Sequence, residues 1–235
     1  MKPLQLEHYI LFGLCGFLLA VAVTTDYHRV VNYLYSDEAV YYMMAQSLAF
    51  DRDMEYTPQD LQRVYAEGWY AGPQGVYLTK TEAGKIYYGK YLAYAFFLAP
   101  FIAVFGLKGF LILNVLLLCG MIWMGWAYLR QFNPQNLALL VALTFFLLSA
   151  SFIYTFWLTP ETFNMFCITT GLFLWLYRRE EGLIGEYSYR QMLSRDQARS
   201  ESLRKPPKMN FLLRFVKRFF GFSARIYRYM IIFIK

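Results

Sequence analysis

The chain has 235 residues, of which 58% are hydrophobic, 20% are aromatic and only 17% are charged, with a formal net charge of +7. An ordinary soluble domain carries about 25% charged residues, and it could not bury uncharged segments as long as residues 109–129 and 131–160. Uninterrupted apolar runs of about 18 residues or more indicate membrane-crossing helices. The composition therefore excludes a typical soluble domain and predicts an all-α integral membrane protein.

The first apolar run, residues 9–25, is predicted to remain as a membrane anchor. It is long enough to cross a bilayer, and Asp26 and Tyr27 follow it where a signal peptidase would require small residues. A polar loop with nine acids and six bases comes next, over residues 26–90.

Four further apolar runs follow the loop, at 91–107, 109–129, 131–160 and 162–177, and a tail with fourteen bases and five acids follows them. Lys and Arg accumulate in short cytoplasmic segments. With the N-terminus inside and residues 91–107 lying along or dipping into the outer interface, four crossings place Arg130 and the tail inside and the polar loop outside, and this topology is the preferred prediction. Five crossings with the N-terminus outside remain an alternative, and they place the loop in the cytoplasm.

Residues 1–177 are thus predicted to form a transmembrane module, and 178–209 to form a basic cytoplasmic linker. Residues 210–235 have Arg and Lys at helical spacing between apolar side chains, which predicts a basic amphipathic helix for an anionic membrane surface. The alternative is a helix packed on the protein itself or on a partner subunit. The lipid-directed aromatic residues argue against nucleic-acid binding.

The sequence predicts no metal site. The three cysteines, Cys15, Cys119 and Cys167, lie in separate apolar runs without metal-ligand spacing, which is typical of small buried residues in lipid-embedded helices. His8 and His28 are too few to form a metal site without other ligands.

Candidate chemistry is concentrated at the edges of the apolar runs. Ser36 is placed to cap a helix whose first turn contains Asp37 and Glu38, although acids in a first turn are also ordinary helix chemistry. Residues 82–85 predict a hairpin turn. Lys90 is the last charge before an apolar run and could hold a phosphate or anchor the interface. Glu161 follows Pro160, with Thr159 as the expected N-cap.

These segments, in this order, resemble the N-terminal half of the GT-C class of membrane glycosyltransferases, such as the protein O-mannosyltransferases and the aminoarabinose transferase of lipid A. The resemblance is carried by Asp-Glu-Ala-x-Tyr at 37–41, Gly-Lys-Ile-Tyr-Tyr-Gly-Lys-Tyr at 84–91, Leu-Ala-Pro-Phe-x-x-x-Phe-Gly at 98–106 and Thr-Pro-Glu at 159–161. It covers roughly residues 9–179.

The resemblance implies transfer of a sugar from a polyprenyl-phosphate carrier at the outer face of a membrane, such as the bacterial inner membrane. Asp37 would be the general base, with Glu38 and Glu161 in the same catalytic group. Lys90 would contact the donor phosphate, with Tyr88, Tyr91 and Asp26 as further substrate-binding residues. A divalent metal and a partner chain supplying further spans are open expectations. A non-catalytic scaffold of the same ancestry is the main alternative, and a transporter or channel element is a third reading.

Overall fold

A computed structural model describes residues 6–27 and 33–177, and this part of the chain is mostly helical. The predicted linker at 178–209 and the predicted helix at 210–235 lie outside the described residues. The helices are α1 (Leu6–Thr24), α2 (Asp37–Gln46), α3 (Pro58–Ala66), α4 (Leu92–Phe105), α5 (Lys108–Leu129), α6 (Gln135–Leu147), α7 (Ala150–Thr155) and α8 (Glu161–Leu176). The strands are β1 (Leu34–Tyr35), β2 (Pro73–Gln74), β3 (Leu78–Lys80) and β4 (Ile86–Tyr88).

Helix α5 is the central element, and α1, α4, α6 and α8 pack around it. Glycines on α5 allow close packing, because a Cβ at Gly120 would lie 3.0 Å from the ring of Phe166 and one at Gly125 would lie 2.8 Å from the ring of Phe146. Among the described helices, α1 and α5 are long and apolar enough to cross a membrane.

The surrounding helices expose large apolar side chains. Phe12 on α1 is 67% exposed and Leu174 on α8 is 72% exposed. Water-facing surfaces of soluble monomers rarely carry such extended apolar area. The outward faces of the bundle therefore have the composition expected of a lipid-facing surface.

The apolar run 131–160 is not one continuous helix but two helices with a break between them. α6 ends at Leu147 and α7 begins at Ala150, and Ser149 lies in the break. The Ser149 hydroxyl accepts a hydrogen bond from the backbone N–H of Ser151 at 3.3 Å, which caps α7. Since a serine can satisfy this orphan backbone group locally, the helix axis can change direction here.

The cysteines differ from their sequence interpretation. Cys15 on α1 and Cys119 on α5 form a disulfide that closes a separation of 104 residues, whereas Cys167 is free and exposed. Their positions in two separate apolar runs gave no indication that these helices are neighbours.

The polar loop folds into a small layer of its own. β3 and β4 form the predicted antiparallel hairpin, with Gly84 at φ +84° in its turn, and β1 pairs with β2 in parallel. Most of its acids hold this layer together through charge-assisted contacts: Asp51 and Asp60 with Arg63, Glu55 with Lys85, Asp53 with Ser47, and Glu67 with Tyr42 and Gln46.

Candidate functional site: an ion pair in an open cleft

The sequence candidates Asp37 and Lys90 lie 53 positions apart in the chain and meet in the structure. The Nζ atom of Lys90 lies 2.8 Å from Oδ1 of Asp37. The side chain of Lys90 is 30% exposed and that of Asp37 is 33% exposed, so the pair is partly desolvated yet open to solvent. A partly exposed pair contributes little to stability, but it presents one cation and one carboxylate side by side to a ligand.

An open cleft of about 420 Å³ surrounds the lysine end of this pair, lined by Tyr77, Gly89, Lys90 and Tyr91. Its volume lies within the range of small-ligand sites, about 300–1,000 Å³. Lys90 supplies the charge of the lining, and the two tyrosines supply aromatic surface.

The Asp37 end of the pair is positioned by an unusual backbone conformation. Ser36 has φ +52°, which a residue with a side chain rarely adopts, and its N–H donates to the carbonyl of Gln74 at 2.7 Å. This bond joins β1 to β2 immediately before α2 begins at Asp37. The Ser36 side chain does not cap α2 as predicted. Ser36 instead sets the direction in which the helix, and with it Asp37, enters the cleft region.

The Lys90 end is positioned by the start of α4. Tyr91 is the N-cap residue and makes no side-chain capping bond, so the first backbone N–H groups of this 14-residue helix are uncapped by a side chain. Such N–H groups together carry a partial positive charge of about half a unit. The helix end and the adjacent ammonium group of Lys90 therefore both favour an anion.

Glu161 lies near the same place but is not part of the ion pair. It is the first residue of α8, and Pro160, rather than the predicted Thr159, occupies the N-cap position. Its Oε2 atom is buried and has no hydrogen-bond partner among the described residues. A buried carboxylate oxygen without a partner is costly, and Glu161 is not among the residues that line the cleft.

Tyr41 connects the three candidates electrostatically. Tyr41 is only 4% exposed, and burial is the main reason why the pKa of its phenol is raised. The charges of Asp37 and Glu161, and then Tyr91, raise this pKa further. These groups act on one hydroxyl because α2, α4 and α8 begin close together. The structure therefore brings Asp37, Lys90, Tyr91 and Glu161 into one region.

The turn before α8 is held by buried hydrogen bonds. Asn114 on α5 accepts from the Tyr94 hydroxyl at 2.9 Å and donates to the carbonyl of Trp157 at 3.1 Å. The hydroxyl of Tyr27 donates to the carbonyl of Phe156. Since both carbonyls lie a few residues before Glu161, these bonds fix where α8 starts.

Glu38 lies near the turn before α8 and does not line the cleft. Burial raises the pKa of Glu38 above its ordinary value of 4.5, although the nearby Trp157 side chain and Tyr35 backbone act in the opposite direction. Burial of Tyr27 and, to a smaller extent, the negative charge of Glu38 raise the pKa of Tyr27 to about 12. Glu38 is thus placed beside the turn, next to the residue predicted as the base.

Glu38→Gln is expected to stabilise the protein more at pH 7.5 than at pH 4. With a folded-state pKa above 4.5, the folded state binds more protons than the unfolded state as pH rises through this range. Stability is therefore present below 4.5 and is lost as pH rises through the folded-state pKa. Gln keeps an acceptor oxygen and has no charge to bury.

The melting temperature in detergent at both pH values measures the difference, with Glu82→Gln on the hairpin turn as control. A gap between Glu38→Gln and wild type that is the same at both pH values would contradict the prediction.

Two predicted binding residues lie elsewhere. Tyr88 is 3% exposed and packs edge-on against Tyr56 in the interior of the loop layer, so a ligand in the cleft does not reach it. Asp26 lines a separate cleft of about 200 Å³ at the end of α1, together with Lys108. Strand alternation turns Tyr88 inward.

Tyr77, which lines the cleft, and Tyr41, which is buried near Asp37 and Glu161, were missed by the sequence interpretation. Tyr41 does lie within the Asp37–Tyr41 motif, four residues after Asp37, and this helical spacing could have indicated it. Tyr77 is placed by the hairpin pairing, and no local sequence signal marks it.

The described residues do not fit a divalent metal. Among residues 6–27 and 33–177, no three His, Cys, Asp or Glu side chains converge. Asp37 already faces the ammonium group of Lys90, whereas hard cations require several oxygen ligands.

Comparisons with known proteins give no family assignment. No protein-family model matches the chain, and neither a curated protein nor a solved structure matches it significantly.

Proposed function

We propose that the protein is an integral membrane protein with four crossings, made by α1, α5, α6 with α7, and α8. α4 has 14 residues with Pro100 inside it. It is assigned to the membrane boundary, because counting it as a fifth crossing with the N-terminus inside would place Arg130 and the basic tail outside, against the Lys and Arg bias. The loop layer then faces outward, as in the periplasm of a bacterial inner membrane. If this orientation is correct, Glu82→Cys in intact cells is expected to be labelled by a membrane-impermeant maleimide. Protection until the cells are lysed would place the loop in the cytoplasm.

We further propose that the protein transfers a sugar from a polyprenyl-phosphate carrier to an acceptor hydroxyl at this face. The observation that carries the proposal is the Asp37–Lys90 pair at 2.8 Å beside an open cleft. A phosphate suits Lys90 and the uncapped start of α4, as anions suit helix N-termini. The carboxylate of Asp37 beside it can accept a proton.

The reaction would be a single inverting displacement. The acceptor oxygen forms a bond to the anomeric carbon of the sugar, while the bond between that carbon and the phosphate oxygen breaks. Asp37 takes the proton of the acceptor hydroxyl, and polyprenyl phosphate leaves as an anion. Lys90 and the N-terminal N–H groups of α4 stabilise the charge that develops on this leaving group.

The choice of Asp37 as base follows from what the other carboxylates do. Glu55 is paired with Lys85 at 2.6 Å within the hairpin layer, and Glu38 lies near Trp157 and Tyr35. Glu161 has its Oε2 atom buried and does not line the cleft, so this oxygen is not placed to take a proton from an acceptor there. Asp37 combines partial exposure with a direct neighbour that can hold phosphate.

Lys90→Gln is expected to weaken binding of a short-chain polyprenyl phosphate by roughly 10- to 100-fold, since it removes a charge-assisted contact worth about 1.5–3 kcal/mol. Titration of the full-length protein in detergent measures this change. Lys85→Gln is the matched control, because Lys85 also forms an ion pair in the same loop layer but lies outside the cleft lining. Equal affinity of wild type and Lys90→Gln for the phosphate would refute the proposed donor site.

A further inference from the structure

The cleft contains a tyrosine whose position depends on a neighbouring glycine. The backbone N–H of Gly89 donates to the carbonyl of Tyr77 at 2.9 Å, and the ring of Tyr77 lies where a side chain at position 89 would be. A Cβ at Gly89 would overlap this ring. One part of the ring is therefore seated against backbone, while the side chain as a whole stays 61% exposed.

A second exposed tyrosine lines the same cleft. Tyr91 is 86% exposed and follows Lys90 directly in the chain. Tyrosine rings carry a large apolar face and a polar tip. Two such rings beside a cation offer apolar faces and hydroxyl groups immediately next to the place where a phosphate would be held.

We propose that Tyr77 and Tyr91 form the subsite for the sugar ring of the donor. The C–H groups on one face of a pyranose pack against an aromatic face, and its hydroxyls can bond to the phenol groups. This inference rests on the proposed function, because it takes the sugar to be attached to the phosphate at Lys90. It adds a saccharide-recognising surface that is separate from the phosphate-binding charge.

Exposed tyrosines are also common as anchors at membrane interfaces. An anchor would not require a ring seated on a glycine or placement beside the cation of a cleft. Tyr70 provides the comparison, since it is 87% exposed in the same loop layer and does not line the cleft.

The test compares the binding of citronellyl phosphate with that of the same phosphate carrying mannose, glucose, galactose or arabinose. The full-length protein in detergent is expected to bind at least one glycosylated probe about three- to tenfold more tightly than the bare phosphate, which corresponds to about 0.7–1.4 kcal/mol. Tyr77→Ala is expected to remove this preference and to leave bare phosphate binding within about twofold. Tyr70→Ala is expected to keep the preference.

Gly89→Ala provides a second route to the same result, because it displaces the ring without removing an aromatic residue. Tyr77→Phe, which keeps the ring face, is expected to retain most of the preference. Wild type that shows no preference for any sugar, or Tyr77→Ala that weakens all probes equally, would overturn the subsite. Loss of bare phosphate binding in Lys90→Gln tests the proposed function separately, so the two can fail independently.

Discussion

Replacing Asp37 by Asn is expected to lower the rate of sugar transfer by about 10²–10⁴-fold, the usual contribution of a general base. Asn has the same shape but cannot take the proton of the acceptor hydroxyl. Donor binding is expected to stay equal or to tighten, since Lys90 no longer shares its charge with a carboxylate at 2.8 Å. A slower reaction with undiminished donor affinity separates a chemical role from a binding role.

Transfer of radiolabelled sugar from a polyprenyl-phosphate carrier in membranes measures the rate for Asp37→Asn, and immunoblotting normalises for the amount of protein. Glu55→Gln is the matched control, because Glu55 also pairs with a lysine of the loop layer. It is expected to transfer at close to the wild-type rate. Undiminished transfer by Asp37→Asn would remove Asp37 from the chemistry.

The elements that could be predicted from sequence are those set by local rules. Apolar run length located α1 and α5, and the turn residues around Gly84 located the hairpin of β3 and β4. Lys90 was recognisable as the last charge before an apolar run. Each of these signals lies within a few residues of the feature that it predicts.

The features that sequence did not reveal depend on contacts between distant segments. The break between α6 and α7 has no proline or glycine to mark it, and Ser149 satisfies the backbone there. The seat of Tyr77 on Gly89 requires the hairpin register, and the Cys15–Cys119 disulfide requires the packing of α1 on α5. Tyr88 is buried, and Glu38 lies near the turn before α8 instead of in the cleft. Sequence did not reveal either position, because adjacent residues on a strand or helix face different neighbours.

Exchanging the charges of the ion pair distinguishes a chemical role of the pair from a purely structural one. A structural pair needs only the attraction between positions 37 and 90, whereas the proposed reaction needs the cation at the start of α4 and the carboxylate at the start of α2. Asp37→Lys and Lys90→Asp are each expected to destabilise the protein modestly, since each places like charges in contact. The double variant restores an ion pair, and because pairs of this exposure contribute about 0–1 kcal/mol, its stability is expected to return to within about 1 kcal/mol of wild type.

Sugar transfer by the double variant is expected to remain at least about 10²-fold below wild type, because its carboxylate would repel the donor phosphate and its ammonium group could not act as the base. Thermal unfolding in detergent and the membrane transfer assay, applied to the two single variants and the double variant, measure both properties. Recovery of stability without recovery of transfer assigns separate chemical roles to the two ends of the pair. Recovery of both would show that the pair is structural and would remove Asp37 and Lys90 from the chemistry, since attraction alone does not depend on which residue carries the positive charge.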